Sequence, residues 1–243
     1  MEENQFLKEC HILFKKYIVL RKIGKEDFCE IYLGRKISDK KLVSIKVEKK
    51  SILKSLLEAE AFCYCNIKGV GIPKPLSFGV KGKYNVLVTP LLGKHLYDIY
   101  LEKGEEFDLG ELCMIALQVL ERIIIVHSHF YIHRNIKPDV FFTRKEDPNI
   151  IYLTNFSLVS KYRSSRTKKH ILFRNTGKFY GTLRFSSPNA LKGGTQSRKD
   201  DLISIGYMLI YFLRKKLPWQ YIKAQNPTDK YIKIYRMKKE IKP

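Results

Sequence analysis

The chain has 243 residues, 44% of them hydrophobic, and carries 46 lysines and arginines against 24 acids, a formal charge of +22. Such a composition can bury one large core or two lobes, and it excludes a disordered chain. The charge predicts a field that attracts phosphates of any kind, leaving nucleic acid, acidic membranes and phosphoproteins as partner classes.

No apolar run approaches the roughly 20 residues needed to cross a bilayer, and the opening MEENQFLKEC is acidic rather than basic. Neither a membrane span nor a signal peptide is expected. Five cysteines, Cys10, Cys29, Cys63, Cys65 and Cys113, form no CxxC pair. An odd set of this kind fits a reducing, intracellular setting, cytoplasmic or nuclear, better than a disulfide framework. Cys63 and Cys65 read as packing residues. Basic knots at Arg166-Thr167-Lys168-Lys169, Arg214-Lys215-Lys216 and Arg236-Met237-Lys238-Lys239 are each compatible with a solvated face.

Residues 17–24 and 30–36 alternate apolar and polar, which predicts a hairpin. Its turn, Gly24-Lys25-Glu26-Asp27-Phe28-Cys29, opens on a glycine and then places two acids side by side. Glycines let backbone amides approach phosphates closely, whereas Glu26 and Asp27 put negative charge there, and a plain hairpin turn fits equally well. Residues 42–47 form a third strand containing Lys46, followed by a helix over 53–65 containing Glu58 and Glu60. Of the two acids, Glu60 is favoured as a partner for Lys46, because Tyr64 lies one turn later on the same face. Gly69-Val70-Gly71-Ile72-Pro73 breaks that helix, and a strand pair over 75–80 and 84–90 turns at Lys81-Gly82-Lys83. The longest helical pattern covers 109–130. After it comes the loop Tyr131-Ile132-His133-Arg134-Asn135-Ile136-Lys137-Pro138-Asp139-Val140, and then a strand over 149–157 that contains Asn155-Phe156-Ser157.

The loop at 131–140 resembles the catalytic loop of protein kinases, which runs His-Arg-Asp, four residues, then Asn. There the Asp accepts the substrate hydroxyl proton and the Asn holds magnesium. Here Asn135 and Val140 stand in those places. The stretches GVGIP, YNVLVTPLLG, HRNIKPDV, SKYRSSRTKKHI, QSRKDDLISIGYMLIYF and LPWQ are similar to the casein kinase I family of serine/threonine protein kinases. The similarity runs from about residue 15 to about residue 235, nearly the whole chain.

That resemblance implies an α+β, bilobal protein-kinase-like fold. A small antiparallel β lobe would cover 1–89, a hinge 90–93, and a mainly helical lobe 94–243. The helical lobe is expected to be shortened at its C-terminus, because only 24 residues follow Trp219. ATP and magnesium are the implied cofactors of an active member. The nucleotide neighbours would be Gly24, Ile31, Lys46, Glu60, Leu91, Leu92 and Asp98, with Thr89 as gatekeeper and Pro90 in place of an acidic hinge residue. Lys137 is retained beside the altered base position Asn135. Asn155 and Val140 occupy the two metal-ligand positions, and Ser157 replaces a glycine. His133 and Phe156 would stack through the lobe interface, and Asp201 would anchor the catalytic loop. Arg184 and Lys230 match an anion site, with Lys178 beside Gly177 at its third place.

Three departures thus fall on three separate chemical jobs. An amide nitrogen is a donor and takes no proton near neutral pH, and an amide oxygen offers magnesium no charge. The expectation is a catalytically impaired, kinase-fold protein that binds phosphorylated or acidic proteins. An active serine/threonine kinase is the first alternative. A basic nucleic-acid-binding module on the same scaffold is the second.

Overall fold

The computed structural model describes residues 6, 10–26, 28–50, 55–144 and 146–240. Alternating β-branched and aromatic residues build six strands: β1 (Ile12–Leu13), β2 (Tyr17–Lys25), β3 (Glu30–Lys36), β4 (Leu42–Lys49), β5 (Ser77–Lys81) and β6 (Tyr84–Pro90). They form one sheet in the order β1-β2-β3-β4-β6-β5, with every neighbouring pair antiparallel. Side chains of period two divide the sheet into two faces. Val43, Ile45 and Val47 of β4 and Tyr84, Val86 and Val88 of β6 pack with Phe6, Cys10 and Leu13 in one core. Leu87, on the opposite face, belongs to the main core with Leu57 and Tyr64 of α1 (Leu56–Asn66). Lys46 and Glu48 alternate with Ile45 and Val47, so they share the face that meets α1.

The start of α1 is fastened to the sheet by charge. Ser55 Oγ accepts from Glu58 N at 2.9 Å, and Glu48 Oε1 accepts from Leu56 N at 2.9 Å. The second Glu48 oxygen takes Asn85 Nδ2 at 3.0 Å and the Ser55 hydroxyl. A carboxylate at a helix N-terminus satisfies orphan amides and opposes the helix dipole. The start expected at residue 53 and the acid Asp27 lie outside the described residues.

Past Pro90 the structure is mainly helical: α2 (Leu96–Glu102), α3 (Leu109–Ser128), α4 (Pro188–Leu191), α5 (Arg198–Arg214) and α6 (Pro227–Glu240). An Asp108–Glu111 capping box opens α3, whose Leu112, Ile115, Val119, Ile123 and Val126 face the core. The helix stops at Ser128, two residues before the expected end, because Phe130 turns left-handed at φ 66° and leads into β7 (Tyr131–Ile132).

The long strand expected over 149–157 is not formed. Only β9 (Tyr152–Leu153) pairs, with β8 (Phe141–Phe142). Beyond it the backbone is diverted: Thr154 N bonds Val140 O at 2.9 Å, and Asn155 is left-handed at φ 62°. A short β10 (Ser160–Lys161) then returns to β7. Leu153 N donates to Gly71 O at 2.8 Å, which ties β9 to the GVGIP turn. Gly71 has φ +73°, and a Cβ there would fall 2.1 Å from Arg122 Nε. Only glycine fits that approach.

The basic run Arg236–Lys239 is not a solvated face throughout. Lys238 is 2% exposed, and its ammonium donates to Leu183 O at 2.9 Å, Arg184 O at 3.0 Å and Ser186 O at 2.7 Å. It sits between the rings of Trp219 and Tyr207, 4.6 and 4.9 Å from their centroids. The reason is amphipathy: Ile234 and Lys238 lie one turn apart on the buried stripe of α6. On α5, Leu202, Ile210 and Leu213 are exposed. Among the described residues no disulfide joins the cysteines, and no helix is long and apolar enough to cross a membrane.

Candidate catalytic and anion-binding sites

Lys46 projects from β4 toward α1, and its Nζ lies 3.0 Å and 3.1 Å from the two carboxylate oxygens of Glu60. Glu58 is exposed at the helix start, capped on Ser55. A second carboxylate reaches the same ammonium from the β2–β3 turn, with Glu26 Oε1 at 3.1 Å and Oε2 at 3.2 Å. The turn is closed by Glu26 N bonding Cys29 O at 2.8 Å. Burial disfavours a charged lysine, but Glu60 and then Glu26 outweigh it and hold the Lys46 pKa above its ordinary value. Burial pushes the Glu60 carboxyl up against the pull of Lys46, and Glu26 adds in the same direction. One buried cation is therefore shared by two acids. Gly24 and Ile31 face each other across the hairpin, and a Cβ on Gly24 would meet only Ile31, at 3.8 Å.

The catalytic-loop segment hangs from α5. Asp201 Oδ1 accepts from Arg134 N at 2.9 Å, and Oδ2 accepts from His133 N at 2.8 Å and pairs with His127 Nε2 at 2.8 Å. This grip holds Arg134 left-handed at φ 66° while its guanidinium stacks over Tyr180. His133 Nδ1 accepts from Asn135 N at 3.3 Å, so its proton lies on Nε2, 3.0 Å from Thr154 O. Burial pushes the His133 pKa down, in keeping with that neutral form. The rings of Tyr64, Phe156 and His133 follow one another at 5.0 Å and 5.4 Å, joining α1 to this loop.

Asn135 Oδ1 accepts the Thr182 hydroxyl at 2.7 Å. Gly181 next to it has φ +128°, and a Cβ there would fall 2.7 Å from Arg134 O. Lys137 pairs with Asp139 at 3.1 Å. Val140 is fully buried and offers no side-chain donor atom. Asn155 Oδ1 is taken by the Ser157 hydroxyl at 2.8 Å, while its backbone N reaches the Tyr64 hydroxyl at 3.3 Å. Magnesium takes oxygen ligands with at least one carboxylate among them; Val140 supplies no oxygen, and Asn155 supplies only an uncharged one that already accepts from Ser157. Among the described residues, no group of three or more His, Cys, Asp and Glu side chains is placed to hold a metal. The residues present do not fit the magnesium pair that the fold implies.

Between sheet and helices, Thr89 and Pro90 end β6, and the half-buried Leu91 and Leu92 follow outside any strand or helix. Gly93 N donates to Thr143 O at 2.8 Å, closing the connection. Asp98 is held by His95, whose Nε2 lies 3.4 Å from its carboxylate.

Arg184 and Lys230 come together with Lys137, Thr182 and Trp219 around a cavity of about 470 Å³. The Arg184 guanidinium faces the rings of Tyr211 and Phe185 at 5.7 and 5.9 Å. Among the described residues, neither Arg184 nor Lys230 has a carboxylate partner. Lys178 does not line this cavity; it is exposed on the preceding loop, its backbone N bonded to Thr176 Oγ1.

The sequence model for the protein kinase domain matches residues 17–243. The chain belongs to the protein kinase family. Its antiparallel sheet with α1, its Lys46–Glu60 pair and its suspended loop at 131–140 are parts of that domain. Three features of this kinase domain were not foreseen from the sequence: the Glu26–Lys46 pair, the Thr182–Asn135 bond and the buried Lys238. The acid at the hairpin tip was the one available signal for the first.

Proposed function

We propose that this kinase-fold chain is a catalytically impaired, casein kinase I-like protein that acts by binding phosphorylated or acidic protein segments. A contrast in charge pairing carries the reading. Lys46, the cation that serves nucleotide phosphates in active kinases, is neutralised by two carboxylates of its own chain. Arg184 and Lys230 line an open cavity and neither has a carboxylate partner among the described residues; the one carboxylate on its wall, Asp139, is paired with Lys137.

At the catalytic positions the chemistry points the same way. Asn135 cannot take a proton, and loss of a positioned base costs about 10²- to 10⁴-fold. The retained elements, His133, Phe156 and the Asp201 anchor, are the ones that hold shape. Residues 90–93 are the hinge in this reading, and the protein works inside the cell, in cytoplasm or nucleus. It would compete with an active casein kinase I for phosphorylated segments. Charge-assisted hydrogen bonds to a phosphate are the stronger class, and arginine binds it in two-pronged fashion.

Titrating a phosphorylated and an unphosphorylated copy of one peptide against the wild type and the Arg184→Ala, Lys230→Ala double variant tests this. The wild type should prefer the phosphorylated copy, and the variant should lose most of that preference. Equal binding of both copies would leave nonspecific electrostatics, and a steep salt slope on nucleic acid would then favour the nucleic-acid module.

One observation supports an active kinase as the second reading. The Lys46–Glu60 pair and the Asp201-held loop are assembled in the way phosphotransfer requires. Phosphate incorporation that disappears in a Lys46→Ala variant would establish it.

A further inference from the structure

Between Asp147 and Asp200 there is no acidic residue, while eleven lysines and arginines fall in the same stretch. Bases are about as frequent there as elsewhere; what is missing is their partners. The early part of this stretch is rigidly built. Lys161 pairs with Tyr131 across β10 and β7, and the buried Tyr162 donates its hydroxyl to His127 O at 2.8 Å. Arg163 then bridges to His170, and between them Ser164 N bonds Lys169 O at 2.9 Å and Lys168 N bonds Ser164 O at 3.0 Å.

This hairpin lies against Phe130 and encloses a cavity of about 240 Å³ lined by Lys161, Arg163, Ser164, Ser165 and Lys168. Its hydrogen bonds leave a matched set of donors. Ser164 Oγ accepts from Thr167 N at 3.1 Å, and Ser165 Oγ accepts from Lys161 Nζ at 2.7 Å. Each hydroxyl keeps its own hydrogen to donate. Arg163 uses Nε on Lys168 O and lies over the Phe130 ring, and its two terminal nitrogens have no hydrogen-bond acceptor among the described residues. Among the described residues, none of the three cations has a carboxylate partner.

Three cations around one concavity repel one another, and an anion of matching size removes that cost. A carboxylate has two oxygens and one charge; a phosphate ester has three terminal oxygens and up to two charges. We infer that this cavity is a phosphate-dianion site, separate from the Arg184–Lys230 cavity. It sits between the end of α1, the turn after α3 and the hairpin, and shares no lining residue with the other site.

The test is made in the Arg184→Ala, Lys230→Ala protein, so that the other site is silent and failure of the proposed function leaves this result readable. A labelled peptide with one phosphoserine among glycines and alanines is titrated at physiological salt. It should bind, its serine and aspartate copies should not, and inorganic phosphate should displace it. Adding Lys161→Gln and Lys168→Gln should weaken binding at least about tenfold, the weight of one charge-assisted hydrogen bond. Lys161→Arg with Lys168→Arg should retain it, which separates lost charge from lost folding. A phosphopeptide more than tenfold tighter than free phosphate identifies a protein-borne phosphate as the ligand; parity identifies the free ion. Equal binding of the aspartate copy, or no loss in the glutamine variant, overturns the assignment.

Discussion

Removing the Glu26 carboxylate leaves Lys46 with one partner in place of two, a change confined to three atoms' charge. Glu26→Gln is therefore expected to strengthen ATP binding without added metal, read as a larger thermal shift with ATP than in the wild type. Magnesium dependence should appear only when Val140→Asn and Asn155→Asp are added, because these restore an oxygen donor and a carboxylate. An ATP shift that exceeds the wild type neither in Glu26→Gln nor in the triple variant would place the barrier outside Lys46 and both metal positions. Much of this residue-level picture was legible beforehand. Lys46 stood on an alternating strand and Glu60 on the helical face of Tyr64, so both directions followed from local geometry. That Glu26 folds onto Lys46 instead of facing solvent was not legible, since it depends on the Cys29 carbonyl closing the turn.

At the scale of elements, α1 is positioned by Glu48, an acid on the strand behind it. Its two oxygens satisfy Leu56 N, Asn85 Nδ2 and the Ser55 hydroxyl. Glu48→Ala is expected to cost about 1–3 kcal/mol, because the half-buried Leu56 N and Ser55 hydroxyl lose their carboxylate acceptor and Asn85 Nδ2 keeps only Ser55 Oγ. Glu58→Ala, in the same first turn but exposed, should stay within about 0.5 kcal/mol. Urea denaturation of the two variants checks the contrast, and equal losses would mean that α1 is held by its apolar face alone. The helices themselves were readable from their 3.6-residue period and their caps, as in Asp108 and Glu111. The strand over 149–157 was not, since its apolar run cannot reveal that the Val140 and Gly71 carbonyls divert it after two paired residues. Lys238 was hidden in a different way: Arg-Met-Lys-Lys looks solvated until Trp219 and the 183–186 carbonyls are brought against it from other parts of the chain.

Across the whole molecule, Lys238 makes stability depend on pH in a direction opposite to that of its buried thiols. Burial pushes its pKa from the ordinary 10.5 down to about 7. Between those values the unfolded chain binds the proton and the folded one releases it, so stability should rise with pH across that window. Burial raises the thiols of Cys29 and Cys63, which works the other way above their ordinary range. The difference between wild type and Lys238→Met cancels the thiols, and the wild type should gain on the variant from pH 7 to pH 9.5. A flat difference would show that the three carbonyls and two rings keep the ammonium fully protonated throughout. The same lysine also sets an order of assembly. Leu183 and Lys238 are 55 residues apart, so at roughly 5–20 residues per second the loop bearing Arg184 leaves the ribosome seconds before its fastener exists. Until α6 emerges, the sheet and the catalytic loop can already be in place, while the carbonyls of Leu183 and Ser186 have only water to bond. A nascent chain caught in that interval is a kinase fold whose Arg184–Lys230 cavity has not yet been closed, and that is where a protease would first find it.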